Sequence, residues 1–370
     1  MVAPPLQQVE KQMIDRSISS KVLSVGPDCK DPKGGIGMVL KTYSTIYGEF
    51  RFICTHKEGG VMRKVWVFLV ALCRLIPLLC NKGIRIVHVH GASKGSFVRK
   101  AIIILLSKLF GKKVVYHVHG GGFKAFTQKH SKIVPFILKK CDMIVALSEY
   151  WRSYFADELH CRNVEIVPNI IERPYEDHSV RDGKVCTFLF LGKICKEKGV
   201  FDLIELISEH ISEFEGKIKL VIAGIGETDK LLSAINHPKL KGIISYVGWV
   251  SGTDKVKLLN QCDVYLLPSY FEGVPISLLE AFSYHLPVIS THVGGIPEIL
   301  ADGVNGLMIA PGDQDGLYQA MLKLLSSPKL REQMGKDAYQ RSLSHLPENV
   351  EKCLTNIYEE MIADGSTNPQ

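Results

Sequence analysis

Residues 263–306 read DVYLLPSYFEGVPISLLEAFSYHLPVISTHVGGIPEILADGVNG. The stretch opens on a short apolar run, Val264 to Leu267, of strand type. Pro268 closes it, because proline has no N–H to give to a sheet ladder. Ser269 to Gly273 form a loop, and Pro275 stands where its fixed φ suits the first residue of a helix, so a helix is expected from about Pro275 to Ser283. Glu280 is then flanked by Leu278, Leu279, Ala281 and Phe282 and has no clear solvent face. A buried carboxylate costs about several kcal/mol unless something hydrogen-bonds to it. Glu272 lies on the loop ahead of the helix. A strand, a glycine loop, a helix start whose free N–H groups favour anions, and two acids suit a phosphorylated, hydroxyl-rich ligand. The plainer alternative is a loop acid and a helix acid that meets a buried arginine, since short patterns match by chance.

A chain of 370 residues is long for one core and suits two domains. With 46% hydrophobic and 22% charged residues it is an ordinary globular composition, with no disordered bulk. The ten cysteines are scattered, without a C-x-x-C pair or zinc spacing, and read as buried thiols in a reducing compartment. His117 and His119 alternate on a strand and share a face, which is a thin basis for a metal site. No metal ligands are assigned. The start of the chain shows no basic segment leading into an apolar core, so no secretory signal is expected, and residues 1–20 read as a polar lead-in. Val65 to Cys80 is the most apolar run, but it is short for a span and contains Arg74 and Pro77. It is expected to be a buried or membrane-facing helix, not a transmembrane one.

Charge is unevenly distributed. Residues 1–168 carry 26 Lys and Arg against 11 Asp and Glu, and the remainder carries 19 against 27. Between Glu58 and Asp142 there are 16 basic residues and no acid. The first half is thus expected to meet something anionic. Nucleic acid is disfavoured, because no aromatic-interleaved basic stripe or recognition motif is present. An acidic membrane surface fits at least as well as nucleic acid, since basic residues bracket apolar helices at Arg63–Lys82 and Arg99–Lys113; a basic surface without a partner is the alternative.

Outward from the opening stretch, strand-like runs alternate with helical ones. Lys21 to Val25 leads into a glycine loop, Gly34-Gly35-Ile36-Gly37, that lets backbone approach a ligand closely. Arg85 to His90, Lys113 to His117, Asp142 to Ala146 and Val164 to Pro168 continue the alternation, which implies a parallel sheet with helices on both faces. Residues 169–184 are polar and proline-containing and read as a linker. The pattern restarts with Thr187 to Leu191 and Gly192, then Val200 to about His210, Leu220 to Ala223 before Gly224-Ile-Gly226, and Ile243 to Val247 before Gly248. Helices are expected at Asp315–Leu325, Leu330–Ser344 and Pro347 to about Met361. The chain is read as α/β, with two doubly wound Rossmann-like domains, 1–168 and 185–346, facing across a cleft, and with the helix of residues 347–361 packing back on the first.

The order and spacing of these elements resemble family 4 of the retaining glycosyltransferases, of GT-B fold. The resemblance runs through Gly34-Gly35-Ile36-Gly37, His119-Gly120, Val167-Pro-Asn169, Gly192-Lys193, Lys198-Gly199, Ala223-Gly-x-Gly226 and Gly248. It is most specific at E-G-V-P-x-x-x-L-E-A, Glu272 to Ala281, followed by G-G-I-P-E at Gly294 to Glu298. It implies that Glu280, second acid of an E-x7-E motif, holds the nucleotide ribose and that Glu272 lies beside the donor sugar. The amides of Gly273 and Val274 would contact sugar hydroxyls, with Ile276 and Ser277 the next donors toward the diphosphate. Lys193 and Lys198 would neutralise the departing diphosphate; the first is usually arginine, a planar fork in place of a point charge. His119 would contact the sugar, Gly35 and Gly37 would approach the diphosphate or acceptor, and backbone near Gly226 and Gly248 would meet the base. His117 is read as a core or supporting histidine. Asn169 begins an N-I-I-E element that departs from the family's N-G-V-D.

The resemblance implies transfer of a sugar from a UDP- or GDP-linked donor to a hydroxyl acceptor with retained anomeric configuration. With no acid/base pair evident, the leaving diphosphate would itself take the acceptor's proton. No D-x-D metal motif is read, so no cofactor or divalent ion is expected to be required. The basic first half suggests a lipid-linked acceptor, plausibly a polyisoprenoid diphosphate, in cell-surface polysaccharide synthesis. The protein is expected to be cytoplasmic, peripheral on the inner membrane face. The rivals are a sugar-nucleotide epimerase of the same fold and a non-catalytic nucleotide-sugar-binding protein.

Overall fold

The computed structural model describes residues 13–175 and 185–363. They fall into two compact units. One comprises the described residues of Met1–Leu147, Arg152–Ile170 and His345–Gln370; the other comprises Ser148–Trp151 and those of Ile171–Ser344. The stretch expected to be a linker is described as far as Tyr175, and residues 176–184 lie outside the described part, as do 1–12 of the expected lead-in.

The first unit holds six parallel strands: β1 (Val22–Gly26), β2 (Arg51–Cys54), β3 (Ile86–Gly91), β4 (Lys113–Val118), β5 (Met143–Ala146) and β6 (Val164–Ile166), in the order β2-β1-β3-β4-β5-β6. The central strands are buried along their whole length, as parallel strands covered on both faces must be. The order reverses at β1, so the crevice at the carboxyl ends of β1 and β3 is where this topology leaves room for a ligand. In the register of β3 and β4, His90 lies opposite His117. Helix Pro347–Ala363 belongs to this unit and buries Val350, Leu354, Ile357, Tyr358 and Met361. The Tyr358 hydroxyl lies 2.5 Å from that of Tyr47 and 2.5 Å from His88 Nδ1.

The second unit holds β7 (Cys186–Leu191), β8 (Ile218–Ala223), β9 (Ile244–Tyr246), β10 (Val264–Leu267), β11 (Val288–Thr291) and β12 (Gly306–Ile309), all parallel, in the order β12-β11-β10-β7-β8-β9. This is the Rossmann order, with its switch point between β7 and β10.

Two strands, β2 and β12, are absent from the sequence reading. Both are sheet edges of four residues, one beginning with arginine and one with glycine, and neither shows a clean apolar period. The helix after β10 runs Ile276–Ser283, not from Pro275, which is extended at φ −73° and ψ 124° and caps the helix from outside. The apolar helix of the first half starts earlier than expected, at Val61, and runs to Cys80. It buries Ala71, Leu75 and Leu79 and exposes Val61, Met62, Val65, Trp66, Leu69 and Ile76. Among the described residues no helix is long and apolar enough to cross a membrane.

Candidate active site

In the second unit the carboxyl ends of β7 and β10 carry one connected group. Glu272 is buried, and its Oε1 accepts a hydrogen bond from Ser269 Oγ at 2.8 Å and an ion pair from Lys198. Lys198 closes a tight turn, Lys196–Lys198, that leads into Gly199. Gly199 has φ +71°, and a Cβ there would lie 2.1 Å from the Pro268 carbonyl oxygen. Only glycine lets the lysine turn sit this close to the loop after β10. On the other side Gly294, at φ +56°, would place a Cβ 1.9 Å from the Glu272 carbonyl oxygen, while Gly295 N–H donates to Gly273 O at 2.7 Å. The sequence pairs Lys198-Gly199 and Gly294-Gly295 thus clamp the Glu272 loop between two backbones.

Gly273 and Val274 are buried beneath the helix start, and Ile276 and Ser277 are half-buried. No side chain caps this helix, so its first amides remain open to an anion. Ser277 Oγ lies 2.7 Å from the Tyr265 hydroxyl, which donates to Leu191 O at 2.9 Å, tying the helix start to the end of β7. Gly226 and Gly248 lie beyond β8 and β9. A Cβ at Gly226 would lie 2.1 Å from Ile194 O, and the Gly248 carbonyl accepts from Gly224 N–H at 2.8 Å. Lys193, at the start of that loop, is exposed and makes no ion pair; the structure does not bring it to the carboxylates as it brings Lys198.

Glu280 is enclosed as the sequence indicates, with its side chain 12% exposed, but its partner is neither an arginine nor an open space. Lys255 Nζ sits 2.5 Å from Oε1, itself only 11% exposed, and no protein hydrogen bond reaches Oε2. Lys255 comes from helix Gly252–Gln261, remote in sequence, and no local pattern announces it. The sequence does contain a D-x-D spacing, missed in the sequence reading, at Asp313-Gln314-Asp315. Here Asp313 is a helix N-cap whose carboxylate accepts from Gly316 N–H at 2.9 Å.

In the first unit Gly35 opens helix Gly35–Ile46, and Gly37 is pressed against the loop after β1, where a Cβ would meet Asp28 O at 2.6 Å. His119 follows β4, with Nε2 3.1 Å from His90 Nδ1 and a side-chain hydrogen bond with Asn169. His88, His90 and His117 are fully buried beside it. Ring centroids stand 4.1 Å apart in the pairs His88–His90 and His117–His119. Burial pushes His119 and His88 down to about 3 and holds His90 and His117 well below the usual imidazole value, so all four rings are neutral near pH 7. Nitrogens of His88, His90 and His117 lie within 4.8 Å of one another, a set that could hold a late transition-metal ion. The overlapping faces are those of packed rings, whereas metal-bound imidazoles meet an ion edge-on. V-H-V-H at 87–90 alternates onto one face, which was the readable signal for His88 and His90.

Comparison with known proteins decides the family. The model described as Glycosyltransferase Family 4 matches residues 48–173, and that described as Glycosyl transferases group 1 matches residues 174–341. The chain belongs to the family 4 glycosyltransferases. It is 24% identical over 345 residues to N-acetyl-alpha-D-glucosaminyl L-malate synthase of Bacillus anthracis, covering 88% of this chain and 86% of that protein. It is 26% identical over 247 residues to the amylovoran biosynthesis glycosyltransferase AmsK of Erwinia amylovora, covering 64% of this chain and 60% of the relative. The solved structure of HepE of Anabaena in complex with UDP-glucose superposes with a TM-score of 0.73 at 14% identity, over 93% of this chain and 99% of that one. The architecture of this glycosyltransferase is therefore GT-B, and the Glu272–Lys198 group lies at the carboxyl ends of the strands in its Rossmann-ordered sheet.

Proposed function

We propose that this glycosyltransferase moves a sugar from a nucleoside-diphosphate sugar to a hydroxyl acceptor with retention of anomeric configuration. The observation that carries the reading is the Lys198–Glu272 pair beside the uncapped helix start at the β7/β10 switch point. Helix amides and Lys198 supply positive potential for a diphosphate, Glu272 accepts from sugar hydroxyls, and Glu280 Oε2 accepts from the ribose. In the transfer, the bond from the anomeric carbon to the diphosphate oxygen breaks. A bond from that carbon to the acceptor oxygen forms on the same face, and the acceptor proton passes to the diphosphate. His119, held neutral, serves as a hydrogen-bonding group to the sugar. Positioning and charge stabilisation do the work, without a divalent ion. UDP is the first donor to test, since HepE was solved with UDP-glucose, with GDP the second.

The acceptor is assigned to a lipid-linked saccharide in cell-surface polysaccharide synthesis. AmsK is named for the biosynthesis of amylovoran. The exposed stripe Met62, Val65, Trp66, Leu69 and Ile76 on helix Val61–Cys80, with Arg63, Lys64 and Arg74 along it, supports an anionic membrane surface, on the inner face.

A thermal-shift screen against UDP-, GDP- and ADP-sugars tests the donor, since a ligand of the native state raises the melting temperature. Turnover with the stabilising donor, followed by NMR of the product's anomeric centre, tests retention. Product with the opposite anomeric configuration would refute retention, and isomerised donor without an acceptor would refute the transferase. Activity lost to a chelator and restored only by Mg²⁺ would refute the metal-free reading. Equal, negligible binding to anionic and neutral vesicles would remove the membrane assignment.

A further inference from the structure

The first unit contains basic side chains that no acid answers. Lys100, on helix Gly95–Leu109, is 2% exposed, and among the described residues its only hydrogen-bond partner is the Thr55 hydroxyl. Thr55 follows β2 and is fixed by its N–H and its hydroxyl to the carbonyl of Gly26, the last residue of β1. Lys100 therefore stands over the carboxyl end of β1, at the switch point of this sheet. Arg99, next to it on the helix, makes no ion pair, and its Nε is buried without a partner. His56, next after Thr55, has a buried Nδ1 that is likewise unpartnered.

The surrounding charges are otherwise committed. Asp28 pairs with Lys57 at 3.2 Å, Asp31 with Lys33 at 3.1 Å, and Glu58 faces both His56 Nε2 at 3.5 Å and Lys64 at 3.8 Å. From Glu58 to Asp142 the sequence has no acid to offer. Burial, followed by the neighbouring Arg99, pushes Lys100 down to about 7, and burial together with Arg99 lowers His56. Buried cations are normally paired, so Arg99 and Lys100, which no acid among the described residues answers, are a site in want of an anion, with His56 beside them holding Glu58 through Nε2 and leaving Nδ1 open. Helix Gly35–Ile46, which begins on the loop leaving β1, has no side-chain cap at Gly34 to occupy its first amides.

We propose that Arg99, Lys100 and His56 form a phosphate-binding subsite for the diphosphate of the lipid-linked acceptor. This rests on the transferase reading above. The arginine supplies a planar fork that matches phosphate oxygens, Lys100 a point charge from below, and His56 Nδ1 a third contact. The donor's diphosphate has its own lysine and helix start in the other unit, so the two anions are held by different residues.

Calorimetric titration of the full chain tests this with UDP, inorganic pyrophosphate and farnesyl diphosphate, the last as a soluble stand-in for a lipid diphosphate. The wild type saturated with UDP is expected to bind farnesyl diphosphate, and R99Q to weaken that binding by about tenfold or more while UDP affinity stays within about twofold. K198A should show the converse. Arg99 is half-buried on a helix surface, so R99Q should fold; R99K, which keeps the charge but loses the fork, should give an intermediate loss. Saturating UDP that abolishes farnesyl diphosphate binding, or R99Q and K100M that leave it intact, would overturn the subsite. Pyrophosphate binding as tight as farnesyl diphosphate would make it a free-phosphate site and overturn the acceptor assignment. Failure of the wild type to bind any nucleotide would instead count against the donor reading, and is seen separately in the UDP titration.

Discussion

Replacing Lys100 with methionine removes a buried charge while keeping most of the side-chain volume. Free lysine titrates at 10.5 and Lys100 in the fold at about 7, because burial disfavours the ammonium. The unfolded chain therefore binds more protons than the native state between those values, and stability from this group rises as pH rises through that window. Below pH 7 both states are protonated and the full cost of burying the charge is present. Taking 1.36 kcal/mol for each pKa unit, the cost is on the order of 4 kcal/mol at pH 7 and about 2 kcal/mol at pH 9. K100M should thus be more stable than the wild type at pH 7, with an advantage that shrinks by about 2 kcal/mol at pH 9. Hydrogen exchange of amides in β1 and β3 measures this within the first unit alone, which avoids treating a two-unit chain as a single cooperative transition. A difference between variant and wild type that is constant from pH 6 to pH 10, or a destabilised variant at pH 7, would refute the reasoning.

Four further outcomes are expected. Glu280→Ala should weaken UDP binding by about tenfold or more, whereas Lys255→Met, which strands a nearly enclosed carboxylate, should cost about 3 kcal/mol of stability, partly regained when UDP is added; titration and thermal shift measure the two. Glu272→Ala should slow turnover more than it weakens UDP binding, and the reverse pattern in steady-state kinetics would show the two acids exchanged in role. Gly199→Ala forces a left-handed residue to carry a Cβ against the Pro268 carbonyl, and should lower both melting temperature and turnover, because Lys198 moves with the turn.

Much of this molecule is legible along the chain. Parallel strands buried on both faces are continuous apolar runs, so β5 and β10 declare themselves, and the glycine loop after β10 marks the candidate site. Glu272 and the helix behind it could be named because their chemistry is local, a loop and a helix start, whereas Lys198 could be named only through the family resemblance. What the sequence hides is non-local or marginal. β2 and β12 are four-residue edge strands that begin with arginine and glycine and show no clean apolar period. Lys255 meets Glu280 only because one helix packs beside another. Lys100 reads as one more basic residue on an amphipathic helix until its burial against Thr55 is seen. Pro275 misled by one position, since the proline that suits a first helical turn also suits the extended residue before it. The D-x-D string shows the opposite hazard, a metal spacing whose first acid is a helix cap.

Helix Pro347–Ala363 has a consequence for how the chain is made. Residues Ile171–Ser344 form the described body of the second unit apart from the short Ser148–Trp151 segment, whereas the first unit needs Tyr358, which emerges from the ribosome after them. The half synthesised first is therefore completed last, and until then Tyr47 and His88 wait without the hydroxyl that covers them. A released chain truncated after Leu346 should show a protease-resistant second unit and a first unit still open to cleavage.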